Sequence, residues 1–156
     1  MSTYHFRPAT AADQDTLWRM LYLALFVPPG TEQPPASIIA DHSIARYAAH
    51  WRQRAGDLGV IATLDDQPVG AAWIRYFSAD EPGYGFVNAA TPELTIAIEP
   101  GHRGRGVGSE MLQQLLREAD GPVSLSCDPQ NPAYRLYRRL GFEPVAGSTR
   151  TLIKAS

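Results

Sequence analysis

Residues 100–108 constrain this chain most, because they place four glycines and two arginines between an apolar strand pattern and an amphipathic helix pattern. Glycines without side chains let backbone N–H groups approach a ligand closely. The helix that begins here adds unpaired N–H donors and a partial positive charge. Arg103 and Arg105 add full positive charges, so the segment predicts a phosphate-binding loop. A tight turn in contact with solvent is the simpler alternative.

The strand and the helix that flank this loop follow from the spacing of their apolar residues. Leu94, Ile96 and Ile98 alternate with polar or small residues, which predicts a strand over residues 93–99. Apolar residues then repeat at helical spacing over residues 107–116. The loop therefore joins the end of a strand to the start of a helix.

The rest of the chain shows the same alternation of strand and helix patterns. Further strands are predicted at residues 4–7, 59–64, 68–77 and 123–127, with one or two more within 142–153. Further helices are predicted around residues 17–25, 37–54 and 132–140, and residues 78–91 read as a loop. Because no repeat or linker interrupts the pattern, residues 1–156 are expected to form a single α/β domain.

Composition limits the partners and the compartment that we expect. A net charge of −2 gives no reason to expect nucleic acid or an anionic membrane as a partner. The single cysteine, Cys127, cannot form an internal disulfide, and no apolar stretch is long enough to span a bilayer. His5, His42 and His50 lack metal-ligand spacing. We therefore expect a cytoplasmic protein without a metal.

Two other phosphate ligands compete for the loop. A strand, a glycine loop, a helix and a strand that ends at Asp128 imitate a dinucleotide site. The third glycine of that fingerprint would fall at Ser109, and residues 100–103 delay the first tight turn. A nucleoside-triphosphate loop is weaker still, since no Gly-Lys-Ser or Gly-Lys-Thr follows. A dinucleotide-dependent oxidoreductase stays open as the third hypothesis.

Two motifs carry a resemblance to a known family. Arg103-x-x-Gly106-x-Gly108 resembles the pyrophosphate-binding signature of the GNAT superfamily of N-acetyltransferases. Residues 131–142 are similar to that family's helix ending in Leu-Tyr-x-x-x-Gly-Phe. The motifs occur in the family's order and spacing. The resemblance covers residues 93–143, and residues 6–10 look like the family's usual start.

The resemblance implies a mixed, mostly antiparallel sheet that splays in its middle and carries helices on both faces. Acetyl-CoA would lie in the notch between the strands at residues 93–99 and 123–127. Backbone groups would hold its pantetheine arm, the loop would wrap its pyrophosphate, and an asparagine would touch the cofactor. By resemblance these residues are Ile96, Ala97 and Ile98 for the arm, Arg103, Gly104, Arg105, Gly106, Val107, Gly108 and Ser109 for the pyrophosphate, and Asn131.

Tyr137 is the candidate general acid, since it occupies the tyrosine position of the second motif. An amine that attacks a thioester expels a thiolate, whose conjugate acid has a pKa of about 8.5. A phenol with a pKa of about 10 can donate a proton as the thiolate leaves. The alternative is an aromatic packed beside Ala133 and Leu140, and Tyr134 is the reserve donor.

Glu93 is the candidate base, because an alkyl ammonium with a pKa of about 10.4 must lose a proton before it attacks. A carboxylate on the splayed strand could accept that proton directly or through water. The alternative is a glutamate exposed at a strand start. Glu99 shares the strand face but lies nearer the phosphate loop.

The resemblance implies an N-acetyltransferase that moves the acetyl group of acetyl-CoA directly to a primary amine of a small molecule or a protein. The enzyme would work as a monomer or homodimer. An acyl-CoA-binding module that has lost catalysis is the second hypothesis. The amine itself cannot be read from the sequence. Several aromatic and histidine side chains fall in regions that line the family's acceptor site: Tyr47, His50, Trp51, Tyr76, Phe77 and Tyr84.

Overall fold

A computed structural model describes residues 3–155. Its strands form one seven-stranded sheet with the order β1-β2-β3-β4-β5-β7-β6. The strands are β1 (Tyr4–Pro8), β2 (Leu58–Leu64), β3 (Gln67–Arg75), β4 (Glu93–Ile98), β5 (Val123–Ser126), β6 (Glu143–Pro144) and β7 (Thr151–Lys154). Every neighbouring pair is antiparallel except β4 and β5, which are parallel. The predicted mixed, mostly antiparallel sheet is confirmed.

Helices cover both faces of this sheet, as predicted. They are α1 (Gln14–Ala24), α2 (His42–Ala45), α3 (Val107–Glu118) and α4 (Ala133–Arg139). Alternate residues of each strand point to opposite faces. Ile61 and Trp73 therefore pack with the apolar stripe of α1, whereas Val60 and Ile74 pack with α3. Two separate hydrophobic clusters result, one on each face.

The sheet splays between β4 and β5 because the two strands pair at one position only. Glu93 lies opposite Ser124, and the Ser124 N–H donates to the carbonyl of Pro92 at 2.9 Å. Beyond that point β4 continues to pair with β3, while β5 pairs with β7. The facing edges of β4 and β5 consequently separate, which confirms the predicted notch.

The helix predicted over residues 37–54 is wrong. The structure has a 3-10 turn at Ala36–Ala40, the four-residue helix α2, and then irregular turns. His50 and Arg52 have φ angles of 56° and 70°, in the left-handed region that does not continue a right-handed helix. A long-range contact that the local pattern does not show fixes this segment.

That contact is made by Arg75, whose side chain is 1% exposed. Its Nε and Nη2 donate to the two carboxylate oxygens of Asp57 at 3.0 and 2.8 Å. Its remaining N–H groups donate to the carbonyls of Arg46, Ala49 and His50. All five guanidinium donors are thereby used. These hydrogen bonds hold the segment after α2 against the end of β3, where Arg75 lies opposite Glu93.

The Arg75–Asp57 pair should dominate the stability of this region. Replacing Arg75 with Met leaves the Asp57 carboxylate buried without its partner, and we expect a loss of about 3–5 kcal/mol in the free energy of unfolding. Urea unfolding at neutral pH measures this loss. As a control, Arg150 lies 3.4 Å from Asp128 but is 63% exposed, so Arg150→Ala should cost less than about 1 kcal/mol. Similar losses in both variants would contradict this account.

Candidate active site

The glycine-rich loop lies between β4 and α3, where the sequence predicts it. A 3-10 turn at Pro100–His102 follows β4, and Gly106 precedes the first residue of α3. Gly104 and Gly106 have φ angles of 76° and 80°, which side-chain-bearing residues rarely adopt. A Cβ atom added to either glycine would meet no atom within 4 Å. The loop therefore presents an open, side-chain-free surface at the start of a helix.

Two arginines of the loop keep their charge available. Arg103 Nε donates to the carbonyl of Ile98 at 3.1 Å. Arg105 Nη1 lies 3.4 Å from the hydroxyl of Tyr4, which also contacts His102 Nδ1 at 2.8 Å. Neither arginine forms an ion pair with a carboxylate within residues 3–155. This part of the molecule consequently suits an anion.

The free edge of β4 lines the notch with backbone polar groups. The Glu99 N–H donates to the carbonyl of Val69 at 2.8 Å, so odd-numbered residues of this strand direct their backbone groups to β3. Ile96 and Ile98 alternate with these residues, so their backbone N–H and carbonyl groups point away from β3 and towards the notch. Ala97 faces β3 with its backbone groups. Of the three predicted backbone contacts, the geometry therefore favours those of Ile96 and Ile98.

The first turn of α3 packs close to β4. A Cβ atom on Gly108 would lie 2.9 Å from Ile98 Cδ1, so glycine lets the helix start against the strand. Val107 is buried in the same contact region, and the Ser109 hydroxyl accepts from Gln113 Nε2 at 3.0 Å. The N–H groups of these first residues lack helical partners, as at any helix start.

The start of α4 is capped by its asparagine. Asn131 Oδ1 accepts from the Ala133 N–H at 3.0 Å, which leaves the amide nitrogen of the side chain to other partners. The reserve donor Tyr134 lies one turn further, and its hydroxyl donates to the carbonyl of Thr149 at 3.4 Å. Tyr134 is thus tied to the last loop of the chain.

Tyr137 of α4 is buried, with 7% of its surface exposed, and packs edge-on against Phe142 with ring centroids 5.9 Å apart. Burial raises the pKa of its phenol far above the ordinary value, and the nearby Cys127 thiol adds to this shift. The hydroxyl therefore keeps its proton across the range of pH at which proteins are assayed. Tyr137 is thus a packed aromatic residue whose phenol keeps its proton.

Glu93 is 2% exposed, so the alternative of an exposed glutamate at a strand start is wrong. Its Oε1 accepts from the Gly85 N–H at 2.8 Å. Burial raises the pKa of Glu93, and the Tyr47 hydroxyl and the Gly85 N–H oppose the shift in part. The carboxyl group of Glu93 is therefore buried, and its pKa is raised.

Residues 83–86, which we call the glycine cover, close over Glu93. The Gly85 carbonyl accepts from the Ser124 hydroxyl at 2.8 Å, and the Tyr84 N–H donates to the Tyr47 hydroxyl at 2.7 Å. A Cβ atom on Gly85 would lie 2.6 Å from the backbone carbon of Leu125. The residue pattern of this segment predicts only an ordinary loop. Its only local signal is the pair of glycines two residues apart.

An aromatic cluster stands beside the glycine cover. Tyr47 and Tyr84 are stacked at an interplanar angle of 3° with ring centroids 6.4 Å apart, and Phe77 lies 5.0 Å from Tyr47. The Arg46 guanidinium lies within 6 Å of all three ring centroids. Tyr84 is 59% exposed. Three of the predicted acceptor-side aromatics thus meet near Glu93, whereas Trp51 belongs to the core.

The two candidate catalytic groups lie on opposite faces of the sheet. Tyr47, the neighbour of Glu93, belongs to the cluster on the α1 face. Tyr137 belongs to the cluster on the α3 face. The notch between β4 and β5 is the place where the sheet no longer separates the two faces. A reaction that uses both groups must take place there.

Two features are absent from residues 3–155. No group of three or more His, Cys, Asp or Glu side chains is arranged to hold a metal ion. None of the helices in this part of the chain is long and apolar enough to cross a membrane.

Comparison with known proteins places this geometry in a family. The acetyltransferase (GNAT) family model matches residues 18–142. Mycothiol acetyltransferase of Clavibacter sepedonicus is 32% identical over 102 residues, which are 62% of this chain and 30% of that enzyme. The chain thus matches less than a third of the length of this relative.

Solved structures share the fold at lower identity. A GCN5-related N-acetyltransferase from Ralstonia eutropha JMP134 superposes with a TM-score of 0.68 at 16% identity, over 95% of this chain and 97% of that one. A GNAT family acetyltransferase from Brucella melitensis, solved in complex with acetyl-CoA, gives a TM-score of 0.60 at 18% identity, over 98% and 88% of the two chains. At these identities the likeness concerns the fold.

The raised pKa of Glu93 makes a prediction about stability. Its native pKa lies above the unfolded value of about 4.3, so its contribution to stability is full below that pH and is lost as the pH rises through the native pKa. Glu93→Gln carries no such charge and still accepts the hydrogen bond from Gly85. Its free energy of unfolding should therefore increase relative to wild type as the pH rises from about 4 to about 8.

Denaturant unfolding at several pH values measures this difference. The matched control is Glu118→Gln, since Glu118 is exposed on α3 and its difference from wild type should stay small and flat with pH. A Glu93→Gln difference that also stays flat would show that the carboxylate is not penalised by its surroundings.

Proposed function

The chain belongs to the GNAT family of acetyltransferases, and from this premise we propose that it transfers the acetyl group of acetyl-CoA directly to a primary amine. The observation that carries the proposal is the single-residue pairing of β4 with β5. It leaves the backbone groups of Ile96 and the N–H group of Ile98 directed into a notch that lies beside the glycine-arginine loop, while the Ile98 carbonyl accepts from Arg103 Nε. The amine belongs to a small molecule or to a protein side chain or terminus.

The residues present fit acetyl-CoA as the co-substrate. Its pantetheine arm carries amides, which can pair with a free strand edge as another strand would. Its pyrophosphate is an anion, and the open loop at Gly104 and Gly106 with Arg103 and Arg105 suits an anion at a helix start. The Brucella melitensis protein that shares the fold was solved with acetyl-CoA bound.

Glu93 is proposed to accept the proton of the incoming amine. A primary ammonium with a pKa of about 10.4 is not a nucleophile, and the best general base has a pKa near the working pH. Burial moves the pKa of Glu93 in that direction. Since the glycine cover closes over the carboxyl group, the proton reaches it past residues 83–86 or through a water molecule.

Tyr137 is proposed to supply the proton that the departing sulfur needs. Acetyl-CoA provides a thioester carbon that the deprotonated amine attacks; the new C–N bond forms, the C–S bond breaks, the nitrogen loses its second proton to solvent, and the sulfur takes up a proton from the phenol, which solvent then reprotonates. The phenol of Tyr137 stays protonated because it is buried. Its position on the α3 face, opposite Glu93, separates the donor from the acceptor of protons.

A binding module without catalysis remains the second candidate, because Glu93 is almost fully covered by its own loop. The two candidates differ in turnover. Incubation of the purified chain with acetyl-CoA and a panel of primary amines, with thiol release and product mass both followed, tests the proposal. An acetylated amine that forms at the rate of thiol release supports it. CoA binding without turnover on any amine would favour the module instead.

With an amine that is turned over, Tyr137→Phe should lower kcat by about 10²-fold, the lower part of the range for general acid catalysis, because a thiolate is already a fair leaving group. The CoA dissociation constant should stay nearly unchanged, since the ring keeps its packing and the proton is needed only in the transition state. Because burial raises the pKa of Tyr137, the loss should be constant from about pH 6 to about pH 9.

Tyr134→Phe is the matched control, one turn away on the same helix, and should keep kcat within about twofold of wild type. Steady-state kinetics across pH and calorimetric CoA binding supply both readouts. An unchanged kcat for Tyr137→Phe at every pH would end the assignment of the general acid.

A further inference from the structure

A groove of about 540 Å³ lies along α4, outside the notch described above. Its polar lining comes from the segment before the helix and from one helix face: Gln130, Asn131, Arg135 and Arg139. The volume falls within the range of small-molecule sites. No carboxylate lines this groove.

Two arginines one helical turn apart make the groove strongly basic. Arg135 and Arg139 are four residues apart on α4, where like charges repel each other. Neither forms an ion pair within residues 3–155. Asp128, the acidic residue next to the groove in sequence, pairs with Arg150 instead. The charge arrangement therefore favours an anionic ligand.

The groove adjoins the phosphate loop. Leu136 lines it, and Leu136 Cδ2 lies 3.8 Å from the Cβ position of Gly108 in the first turn of α3. The loop with Arg103 and Arg105 leads directly into that turn. Arg103 and Arg105 thus lie on one side of the contact between α3 and α4, and Arg135 and Arg139 lie on the other. None of these four arginines forms an ion pair with a carboxylate within residues 3–155.

We propose that Arg135 and Arg139 bind the 3′-phosphate of CoA, so that the chain discriminates CoA from dephospho-CoA. This inference rests on the proposed function. CoA carries a pyrophosphate and, on the adenosine ribose, one further phosphate with a charge between −1 and −2 at neutral pH. The loop arginines suit the first group. Arg135 and Arg139, which lie beside the loop in a groove without carboxylates, suit the 3′-phosphate. Hydrogen bonds between a charged guanidinium and a phosphate are stronger than those between neutral groups.

Calorimetric titration with CoA and with dephospho-CoA tests the proposal without reference to turnover. Wild type should bind CoA about 10-fold more tightly than dephospho-CoA. The double variant Arg135→Ala/Arg139→Ala should bind the two ligands about equally, and its affinity for dephospho-CoA should stay near that of wild type. Both side chains are exposed, so the fold should be retained; thermal unfolding checks this.

The matched control is Arg117→Ala/Arg138→Ala, which removes the same charge from exposed arginines that do not line the groove. It should keep the 10-fold preference. A preference that survives in the Arg135/Arg139 variant, or that is absent in wild type, overturns the assignment while leaving CoA binding in place. Failure of wild type to bind either ligand overturns the proposed function together with this inference.

Discussion

The pairing of Glu93 with Ser124 determines how the rest of the site is built. Because it is the one position at which β4 and β5 are paired, the two strands separate beyond it. Gly85 is held at this junction by Glu93 through its N–H group and by Ser124 through its carbonyl. Its lack of a side chain lets it press against the backbone of β5. The junction thus fixes the apex of the notch and the cover over the candidate base together.

A second feature of the site is the separation of the two candidate proton-transfer groups. Glu93 with Tyr47 lies on the α1 face, and Tyr137 lies on the α3 face. Both are buried, and burial raises the pKa of each: the Glu93 carboxyl group becomes easier to protonate, and the Tyr137 phenol keeps its proton. Burying a carboxylate costs stability, which hydrogen bonds offset only in part. Such a cost is common where activity needs a strained or destabilised site.

The pattern of apolar, glycine and capping residues along the chain predicts most of the strands and helices. The strand at Glu93–Ile98, the glycine loop and α3 are each specified by a few adjacent residues, and α4 by its cap, its stripe and its closing glycine. The segment after α2 was mispredicted as a helix because Arg75, far away in sequence, takes its carbonyls as acceptors. The burial of Glu93 was missed for a similar reason. Its partners Tyr47 and Gly85 come from two other loops, and no spacing rule connects them.

Amide hydrogen exchange at the free edge of β4 measures whether the notch binds CoA through its backbone. Without ligand, the amides of Ile96 and Ile98 face the notch, whereas the amide of Ala97 is bonded within the sheet. If the notch does so, saturating CoA should slow exchange at Ile96 or Ile98 far more than at Ala97, which serves as an internal control. Binding of CoA that leaves the exchange at both isoleucines unchanged would contradict this mode of binding.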